Sequence, residues 1–430
     1  MEHLFKLLED CKGVCTDTRT MNPDCLFICL SGANFDGNQF AQKALNQGAR
    51  YVIVDRAELA DEKHIFAVSN TLEFLQALAL FHRRKFSIPI IGITGSNGKT
   101  STKELIHAVL SQKYHTLATQ GNLNNHIGVP LTLLRLTPEH EMAIIEMGAN
   151  RFKDIEELCA IAEPDYGIIT NIGKAHLEGF LNFEGVLKTK RELYEAVSQR
   201  QGVLFYNEGD QILKDALPAN VKTKSYGDPE GSWVQGKLIE LNPFVRMSWI
   251  YEGKEYGPVQ THMIGAYNYL NFLAAICIGT YFKLSSEEIA KALAEYTPRN
   301  NRSELKQTSR NKLILDAYNA NPSSMQSAIR SFAQMTPNNK QLILGDMMEL
   351  GTDGPEEHRR IIALCQELNL SAYFIGKQFF TERSSGEKEG CFYESLEDFK
   401  QHVSSHEIRD AFILIKGSRS MGLEAVVEFL

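Results

Sequence analysis

A glycine-rich loop between an apolar strand and a helix is the feature that most constrains this chain. The string GITGSNGKT occupies residues 92–100, directly after Ile90 and Ile91. Glycines let successive N–H groups turn toward a phosphate, a helix N-terminus adds positive potential, and Lys99 adds a full charge. Ile93 stands where the usual phosphate loop begins with glycine, so we predict a variant ATP-binding loop. The predicted ATP contacts are Gly95, Ser96, Asn97, Gly98, Lys99, Thr100 and Ser101.

Composition and charge exclude several classes of function. The chain has 430 residues, 43% hydrophobic and 23% charged, with a formal net charge of -8. At roughly 150 residues per domain, this length predicts about three globular domains. There is no long Lys and Arg run for a nucleic acid, no stretch of ~18 apolar residues for a membrane span, and no secretory signal. We expect a cytoplasmic monomer that neither binds nucleic acid nor inserts into a membrane.

Three segments differ in their sequence pattern. Residues 1–86 alternate strand-like and helix-like pieces and end in a helix capped by Asn70. Residues 87–298 contain apolar runs typical of a parallel sheet buried on both faces, and the β-rich stretch 201–264 predicts an added β-layer. Residues 299–430 repeat strand then helix, so the predicted fold is α/β in three domains, the last of them Rossmann-like. The predicted apolar stripe of the first long helix is Leu72, Leu75, Leu78 and Phe81.

Two strand ends carry candidate catalytic residues. Glu146 ends a buried strand, where a carboxylate is costly unless it meets a cation, and a Mg²⁺ bound with ATP is the natural partner. His176 follows another strand end, and the carboxyl ends of parallel strands meet at one edge of a sheet. Taken alone, His176 could be structural, and the Asn-rich loop at residues 121–130 could be a plain turn. With the phosphate loop at the same edge, Glu146 and His176 become candidates for one catalytic site.

These segments together resemble the Mur ligase family of cell-wall precursor synthesis, and the resemblance spans nearly the whole chain. The strings TGSNGKT and NIGKAHLE, at residues 94–100 and 171–178, carry it in the central part. DAYNANPSSM, at residues 316–325, resembles the branch that adds D-alanyl-D-alanine, because the other branches have His within the segment YNANP. LGDMMELG and KGSRSM, at residues 344–351 and 416–421, resemble the same branch.

The resemblance implies an ATP- and Mg²⁺-dependent ligase. The first domain would hold the UDP end of UDP-N-acetylmuramoyl-tripeptide, the central domain ATP, and the third domain D-alanyl-D-alanine. The tripeptide carboxylate would attack the γ-phosphate of ATP, and the dipeptide amine would then attack the acyl phosphate. Because Arg302 and Asp316 lie beyond the second boundary and Lys99 before it, we expect the third domain to close onto the central one.

The resemblance also assigns roles that the residues alone do not indicate. Lys190 matches a lysine that the family carbamylates, whereas charge alone predicts that Lys188 or Lys190 is a solvated helix residue. The strings at residues 16–19 and 30–37 match nucleotide-sugar contacts, although alone they are typical of surface turns. Tyr267 and Asn301 stand where the family often has His and Gly.

The implied site residues fall into groups. The catalytic residues are Lys99, Glu146, His176 and Lys190. The metal ligands are Thr100, Glu146, His176 and carbamylated Lys190. The further ATP contacts are Asn268, Asn271, Arg302 and Asp316. The UDP-substrate contacts are Asp17, Thr18, Arg19, Ser31, Gly32, Asp36, Gly37, Asn124 and Asn125, and the dipeptide contacts are Tyr318, Asn319 and Asn321.

Two alternative functions remain open. One is a related ligase that adds a different residue, or a folylpolyglutamate synthetase, and the YNANP string at residues 318–322 argues against both. The other is a protein that binds ATP as a regulatory or assembly switch without ligating anything. In that case Glu146, His176 and Lys190 would have no common function.

Overall fold

Three β-sheets of four or more strands follow one another along the chain in the computed structural model. Sheets built from residues 14–67, 90–264 and 304–416 lie one in each predicted domain. The α/β fold is confirmed, while the boundaries at residues 86 and 298 stay predictions. Within the described residues, every helix is too short or too polar to cross a lipid bilayer. The structure describes residues 2–32, 35–61, 63–173, 180, 182–299, 301–383 and 391–430.

The N-terminal unit is a small parallel sheet with its helices. Its elements are α1 (Glu2–Phe5), β1 (Val14–Cys15), β2 (Leu26–Ile28), β3 (Ser31–Gly32), β4 (Phe35–Asp36), α2 (Ala41–Asn46), β5 (Tyr51–Val54), β6 (Ile65–Ala67) and α3 (Thr71–Arg83). The sheet has the order β1-β2-β5-β6, and β3 and β4 form a separate antiparallel pair. Asn70 Oδ1 caps α3 by accepting the N–H groups of Leu72 and Glu73 at 2.9 and 3.1 Å, as predicted.

Helix α3 is buried on a slightly different face from the predicted one. Phe74, Leu75 and Leu78 are fully buried, whereas Phe81 is 37% exposed. The helix also anchors the central unit, because Arg83 at its end donates to the carbonyls of residues 162 and 163 at 3.0 and 3.2 Å. Contacts with helices of the central unit, which the local periodicity does not encode, therefore help to set the buried face.

The central unit is a nine-stranded sheet with helices on both faces. Its strands are β7 (Ile90–Thr94), β8 (Thr116–Ala118), β9 (Met142–Glu146), β10 (Tyr166–Ile169), β11 (Val203–Asn207), β12 (Lys222–Gly227), β13 (Val234–Glu240), β14 (Phe244–Tyr251) and β15 (Lys254–Ile264). Its helices are α4 (Lys99–Leu110), α5 (Gly128–Leu133), α6 (Asp154–Ala162), α7 (Phe183–Gln199), α8 (Gln211–Asp215), α9 (Ala266–Tyr281) and α10 (Ser286–Glu295).

Strand β7 shows why the central strands are apolar throughout. Ile91 and Ile93 pack with α4 and α9, while Ile90 packs with α6 and α7 on the opposite face. Successive side chains of a strand point to opposite faces, so a strand covered on both faces needs apolar residues at every position. The β-rich stretch 201–264 continues this same sheet, in the order β15-β14-β13-β12-β11-β10-β7-β9-β8, with β14 antiparallel to both β13 and β15.

The C-terminal unit is a six-stranded sheet in the order β16-β17-β21-β18-β19-β20, with β16 antiparallel to β17. Its strands are β16 (Glu304–Gln307), β17 (Lys312–Asp316), β18 (Lys340–Gly345), β19 (Ser371–Ile375), β20 (Phe392–Tyr393) and β21 (Phe412–Lys416). Its helices are α11 (Pro322–Gln334), α12 (Gly354–Glu367), α13 (Lys377–Thr381) and α14 (Leu396–Ser405). Short 3-10 helices span Lys6–Asp10, Gly37–Phe40, Ala57–Leu59, Gly351–Asp353, Arg419–Met421 and Leu423–Phe429.

A buried histidine supports the segment that follows β18. His358 Nε2 accepts the N–H of Met347 at 3.1 Å, so the proton of the ring resides on Nδ1, which lies 2.7 Å from the Gly354 carbonyl. Burial lowers the pKa of His358. This histidine is therefore neutral; its bond to Met347 joins α12 to the loop at residues 347–350, whereas its bond to Gly354 lies within α12.

Candidate active site

The loop after β7 adopts a conformation that requires glycine at two positions. Gly95 has φ +145°, and a Cβ there would lie 2.0 Å from Thr170 Oγ1. Gly98 has φ +78°, and its Cβ would lie 2.9 Å from Asn271 Oδ1. The loop runs directly into α4, whose first N–H groups have no partner within the helix. Amides and a helix dipole in this arrangement can hold an anion, which is compatible with the predicted phosphate loop.

The end of β10 fixes the shape of this loop. The backbone oxygen of Asn171 accepts the N–H of Ser96 at 3.0 Å, and its Oδ1 accepts the N–H of Asn97 at 3.0 Å. Asn171 Nδ2 and Thr170 Oγ1 both donate to the carbonyl of Asn97, at 2.9 and 2.6 Å. Ser96 Oγ donates to the Gly173 carbonyl at 3.0 Å. Because these contacts engage the amides of Ser96 and Asn97, a phosphate would meet the amides that follow them.

Lys99 begins α4, and its ammonium lies within the loop. Its Nζ donates to the carbonyls of Gly95 and Ser96, at 2.7 and 3.3 Å. Burial lowers the pKa of Lys99, the Glu146 carboxylate opposes that shift, and Arg302 adds to it. This lysine therefore lies between one anionic and one cationic group of the same site.

Glu146 is the buried carboxylate beside the loop. It is 1% exposed, and its Oε1 accepts hydrogen bonds from Thr100 Oγ1 at 3.1 Å and from Asn124 Nδ2 at 2.8 Å. No described residue donates to its Oε2. A buried carboxylate oxygen without a partner, next to a threonine hydroxyl, is a set of hard oxygen ligands. These residues fit a Mg²⁺ ion.

Lys190 is buried, so the expectation from charge alone is wrong for it. The residue is 2% exposed on α7, whereas Lys188 on the same helix is exposed. Burial and the nearby ammonium of Lys99 hold the pKa of Lys190 well below its usual value. His176 lies outside the described residues.

The C-terminal unit contributes a second group of polar residues. The guanidinium of Arg302 stacks on the Tyr318 ring, 3.6 Å from its centroid. Lys416, at the end of β21, donates to Asp316 Oδ2 at 2.7 Å and to the Asn319 carbonyl at 3.2 Å. Strand β17 ends at Asp316 beside β21, so the predicted ATP and dipeptide contacts of this unit lie at one sheet edge.

Helix α9 and the C-terminal unit meet through an amide network. Asn271 Nδ2 donates to Asn268 Oδ1 at 2.9 Å, and Thr102 Oγ1 donates to Asn271 Oδ1 at 3.0 Å. The hydroxyl groups of Tyr267 and Ser303 are 2.8 Å apart. The two asparagines thus line the site between α4 and the segment that begins the third sheet.

Asn301 is consistent with the glycine that the family often has at this position. Its φ is +57°, in the left-handed region that glycine and asparagine tolerate best. The next residue is Arg302, so this backbone conformation directs the approach of the arginine segment to the site.

One cavity of about 900 Å³ is bounded by both the central and the C-terminal units. Glu349 and Arg151 also line it, from the loop after β18 and the segment before α6. Neither Gly95 nor Lys190 is among its lining residues. The predicted residues that line it are Ser96, Asn97, Gly98, Lys99, Thr100, Ser101, Asn124, Asn125, Glu146, Asn268, Asn271, Arg302, Asp316, Tyr318, Asn319 and Asn321.

The predicted UDP contacts of the first unit form two clusters outside this cavity. Asp17 pairs with Arg19 at 2.6 Å, and this pairing lowers the pKa of Asp17 to about 2; Thr18 lies between them. In the second cluster, Asn38 Nδ2 donates to Asp36 Oδ1 at 2.9 Å and to Ser31 Oγ at 3.1 Å.

The second cluster is closed by a tight backbone crossing. A Cβ at Gly37 would lie 2.2 Å from the Leu30 carbonyl, whereas one at Gly32 would meet nothing within 4 Å. Arg56 pairs with Asp36. Asn125 has a local role, because its Oδ1 accepts the N–H of Gly128 at 2.9 Å at the start of α5.

Several polar residues of the cavity and of the two clusters of predicted UDP contacts are not among the site residues predicted from the sequence. Asn171 and Lys416 lie inside motifs that were recognised as strings, and each follows or ends a strand at the site edge. Their strand-end position is the signal that could have found them. Asn38 lies one residue beyond the recognised string at residues 30–37 and bonds Asp36 locally. Arg56 carries no such signal, because only the folded first unit brings it to Asp36.

Family models and solved structures match the chain over nearly its whole length. The Mur ligase middle domain matches residues 93–279, the Mur ligase, glutamate ligase domain matches residues 301–419, and the Mur ligase family, catalytic domain matches residues 10–83. The UDP-N-acetylmuramoyl-tripeptide–D-alanyl-D-alanine ligase of Bacillus subtilis (strain 168) is 35% identical over 97% of this chain and 93% of that protein. The ligase of the same name from Escherichia coli (strain K12) is 32% identical with the same coverage.

Two solved structures extend this similarity to the fold. MurF from Acinetobacter baumannii superposes with a TM-score of 0.86 at 29% identity, over 98% of this chain and 97% of that one. MurF ligase from Thermotoga maritima in complex with ADP gives a TM-score of 0.85 at 25% identity with the same coverage. A folylpolyglutamate synthase from Mycobacterium tuberculosis, at 15% identity and a TM-score of 0.64, shares the fold alone.

Proposed function

Because the chain belongs to the Mur ligase family, we propose that it joins D-alanyl-D-alanine to the C-terminal carboxylate of UDP-N-acetylmuramoyl-tripeptide with hydrolysis of ATP. The observation that carries the proposal is the cavity in which the phosphate loop and Glu146 face the segment at residues 316–321. A protein that only binds ATP as a switch needs the phosphate loop. It does not need the polar edge of the C-terminal sheet in the same cavity. The YNANP string within that edge favours the dipeptide over the acceptors of related ligases.

The central unit supplies the nucleotide site. Amides at the start of α4 and the ammonium of Lys99 would hold the phosphates, and Arg302 and Asp316 would reach the nucleotide from the C-terminal unit. Thr100 and Glu146 would hold Mg²⁺, together with His176 and carbamylated Lys190. The ion would supply positive charge that offsets the repulsion between the carboxylate and the γ-phosphate.

The unpartnered oxygen of Glu146 supports this metal assignment. A buried carboxylate oxygen that accepts no hydrogen bond is costly unless a cation binds there. Lys190 is suited to carbamylation, because its lowered pKa favours the neutral amine, which is the form that attacks CO₂. The carbamate is anionic, so the modification would turn a buried amine into an anionic oxygen ligand.

The reaction would then proceed in two steps. A carboxylate oxygen of the tripeptide attacks the γ-phosphorus, the bond to the β-phosphate oxygen breaks, and ADP leaves. The amine of the dipeptide attacks the acyl carbon, loses a proton, and expels phosphate with the oxygen that came from the carboxylate. Lys99 would stabilise the charge that spreads over the transferred group.

The substrates would occupy the outer units. The clusters around Asp17 and Asp36 would hold the UDP end, and Tyr318, Asn319 and Asn321 would contact the dipeptide. We further propose that the protein acts in the cytoplasm, where ATP is available, and that it acts as a monomer.

An acceptor panel tests the proposal. Phosphate release is measured with ATP, Mg²⁺ and UDP-N-acetylmuramoyl-tripeptide, and D-alanyl-D-alanine, D-glutamate or a diamino acid is added in turn. We expect release to depend on the dipeptide and to equal the ligated product. Release that needs a different acceptor would indicate a related ligase, and release that no acceptor changes would indicate an ATP switch.

A further inference from the structure

The phosphate loop touches the C-terminal unit through a pair of asparagines. Asn321 Nδ2 donates to Asn97 Oδ1 at 2.8 Å, and Asn97 Nδ2 donates to Ser323 Oγ at 2.8 Å. These bonds join residues 224 and 226 positions apart in the sequence. Both halves of the Asn97 side-chain amide therefore bind the C-terminal unit, although the residue belongs to the ATP-binding loop.

Asn97 cannot move independently of its loop. Its N–H donates to Asn171 Oδ1, and its carbonyl accepts from Asn171 Nδ2 and Thr170 Oγ1, at 2.6–3.0 Å. The backbone of this residue is thus fixed by the central sheet, while its side chain is fixed by the other unit. A shift of the loop on nucleotide binding would be passed directly to the partners of that side chain.

Asn321 has the same double attachment on its own side. Its Oδ1 caps α11 by accepting the N–H of Ser324 at 2.9 Å and the hydroxyl of Ser323 at 3.0 Å. Only its Nδ2 group reaches the phosphate loop. The segment at residues 318–320, which precedes it, lines the cavity at Tyr318 and Asn319. The position of Asn321 therefore determines where this proposed dipeptide contact surface begins.

We propose that Asn97 and Asn321 form a latch that couples nucleotide binding at the loop to dipeptide binding at residues 318–321. The inference rests on the proposed function for the identity of the acceptor. Coupling between two sites is reciprocal, so nucleotide would tighten the dipeptide site and dipeptide would tighten the nucleotide site by the same factor. Within the latch, the two asparagines act as positioning residues through the segments that they hold, in addition to the ligand contacts proposed for them above.

The test compares three variants of the full chain. Asn97→Ala removes both contacts, and Asn321→Asp removes the donor to Asn97 while keeping the oxygen that caps α11. Asn242→Ala is the matched control, because Asn242 Nδ2 donates to Thr336 Oγ1 at 2.7 Å and so joins the same two units near the other end of α11. Dipeptide KM is measured at saturating ATP, and the Kd of ADP is measured without dipeptide.

We expect Asn97→Ala and Asn321→Asp each to raise dipeptide KM about ten-fold, as loss of one or two hydrogen bonds would. The double variant should show no further rise, since both changes open one latch. For the control Asn242→Ala, both the Kd of ADP and the dipeptide KM should stay within about two-fold of wild type. Additive effects in the double variant, or an equal rise in Asn242→Ala, would overturn the latch.

Hydrogen exchange gives a readout that does not need the reaction. In wild type, ADP should slow exchange of the amides at the start of α11, and Asn97→Ala should abolish that slowing while Asn242→Ala keeps it. Retained slowing in Asn97→Ala refutes the latch. If wild type releases no phosphate in response to the dipeptide, the proposed function fails, and this exchange measurement still decides whether the loop and α11 are coupled.

Discussion

Replacing Glu146 with Gln removes one buried charge and nearly preserves the shape of the side chain. In wild type, Oε1 accepts hydrogen bonds from Thr100 and Asn124, and Oε2 has no partner among the described residues. Glutamine keeps an oxygen for both donors and places an amide NH₂ group where Oε2 stands. The substitution therefore separates the charge of this residue from its packing.

The effect on stability without metal should be small. An unpaired buried polar group costs about 1–3 kcal/mol, and a charged group costs more. Glutamine exchanges an unpaired charged acceptor for an unpaired neutral donor. We expect the free energy of unfolding, measured in EDTA, to lie within about 1 kcal/mol of wild type or above it.

The effect on activity should be large, because the same charge would hold the metal. Two unit charges about 4 Å apart interact by about 4 kcal/mol at an effective dielectric constant of about 20. That free energy corresponds to roughly a 1000-fold change in an equilibrium constant. We expect kcat/KM at fixed Mg²⁺ to fall about 100- to 1000-fold, and the Mg²⁺ concentration for half-maximal rate to rise.

The assay is phosphate release over a Mg²⁺ titration, alongside chemical unfolding in EDTA. Glu141→Gln is the matched control, because Glu141 is exposed just before the opposite end of the same strand. Wild-type Mg²⁺ dependence in Glu146→Gln would refute the metal assignment. Loss of more than about 3 kcal/mol of stability would instead make Glu146 a structural residue.

Four further predictions address other parts of the site. Lys190→Met should abolish both ligation and a carbamate signal in ¹³C-bicarbonate NMR, whereas Lys188→Met should keep both. Arg302→Ala should lower kcat about 100-fold and leave dipeptide KM within about three-fold, because this arginine is proposed to reach the nucleotide, not the dipeptide, from the C-terminal unit. Gly95→Ala should lower stability by more than about 1 kcal/mol and abolish ADP binding, because its Cβ would meet Thr170 at 2.0 Å. The free energy of unfolding should fall as pH drops below the ordinary pKa of histidine. Burial lowers the pKa of His358 in the folded state, so in this pH range the unfolded chain binds a proton that the folded chain does not. In His358→Gln, the free energy of unfolding should depend less on pH in this range.

Each of these has a measurement that would contradict it. A carbamate signal that persists in Lys190→Met would place the modification elsewhere, and wild-type turnover in Arg302→Ala would remove the arginine from the ATP site. Gly253 has φ +75° and open space around it, so an equal loss of stability in Gly253→Ala would show that the clash at Gly95 is unimportant. Identical unfolding curves at pH 5 and pH 8 would contradict the titration of His358.

The sequence predicts those parts of the site that depend on local chain geometry. The phosphate loop, the strand end at Glu146 and the cap at Asn70 each require particular residue types at fixed spacing, so periodicity and motif chemistry find them. The burial of Lys190 is different, because a lone lysine on a helix is usually solvated. The resemblance to the family singled it out, whereas its charge predicted the opposite.

Contacts between units are the part that the sequence does not encode locally. Helix α3 buries a face that differs from the predicted stripe, because helices of the central unit also pack against it. Phe81 belongs to the predicted stripe but not to the buried face, so it is partly exposed. The bond between Asn97 and Asn321 joins two recognised motifs, but nothing in either string indicates that they touch. Asn38 reaches Asp55 only because the first sheet brings them together.

Oxygen transfer from the tripeptide to phosphate is the measurement that tests the central claim most directly. The terminal carboxylate of the tripeptide is labelled with ¹⁸O, and the phosphate released on ligation with D-alanyl-D-alanine is analysed by mass spectrometry. Attack of the carboxylate on the γ-phosphorus predicts ADP and phosphate that carries one ¹⁸O atom per peptide bond formed. Unlabelled phosphate, or release of AMP, would contradict the account.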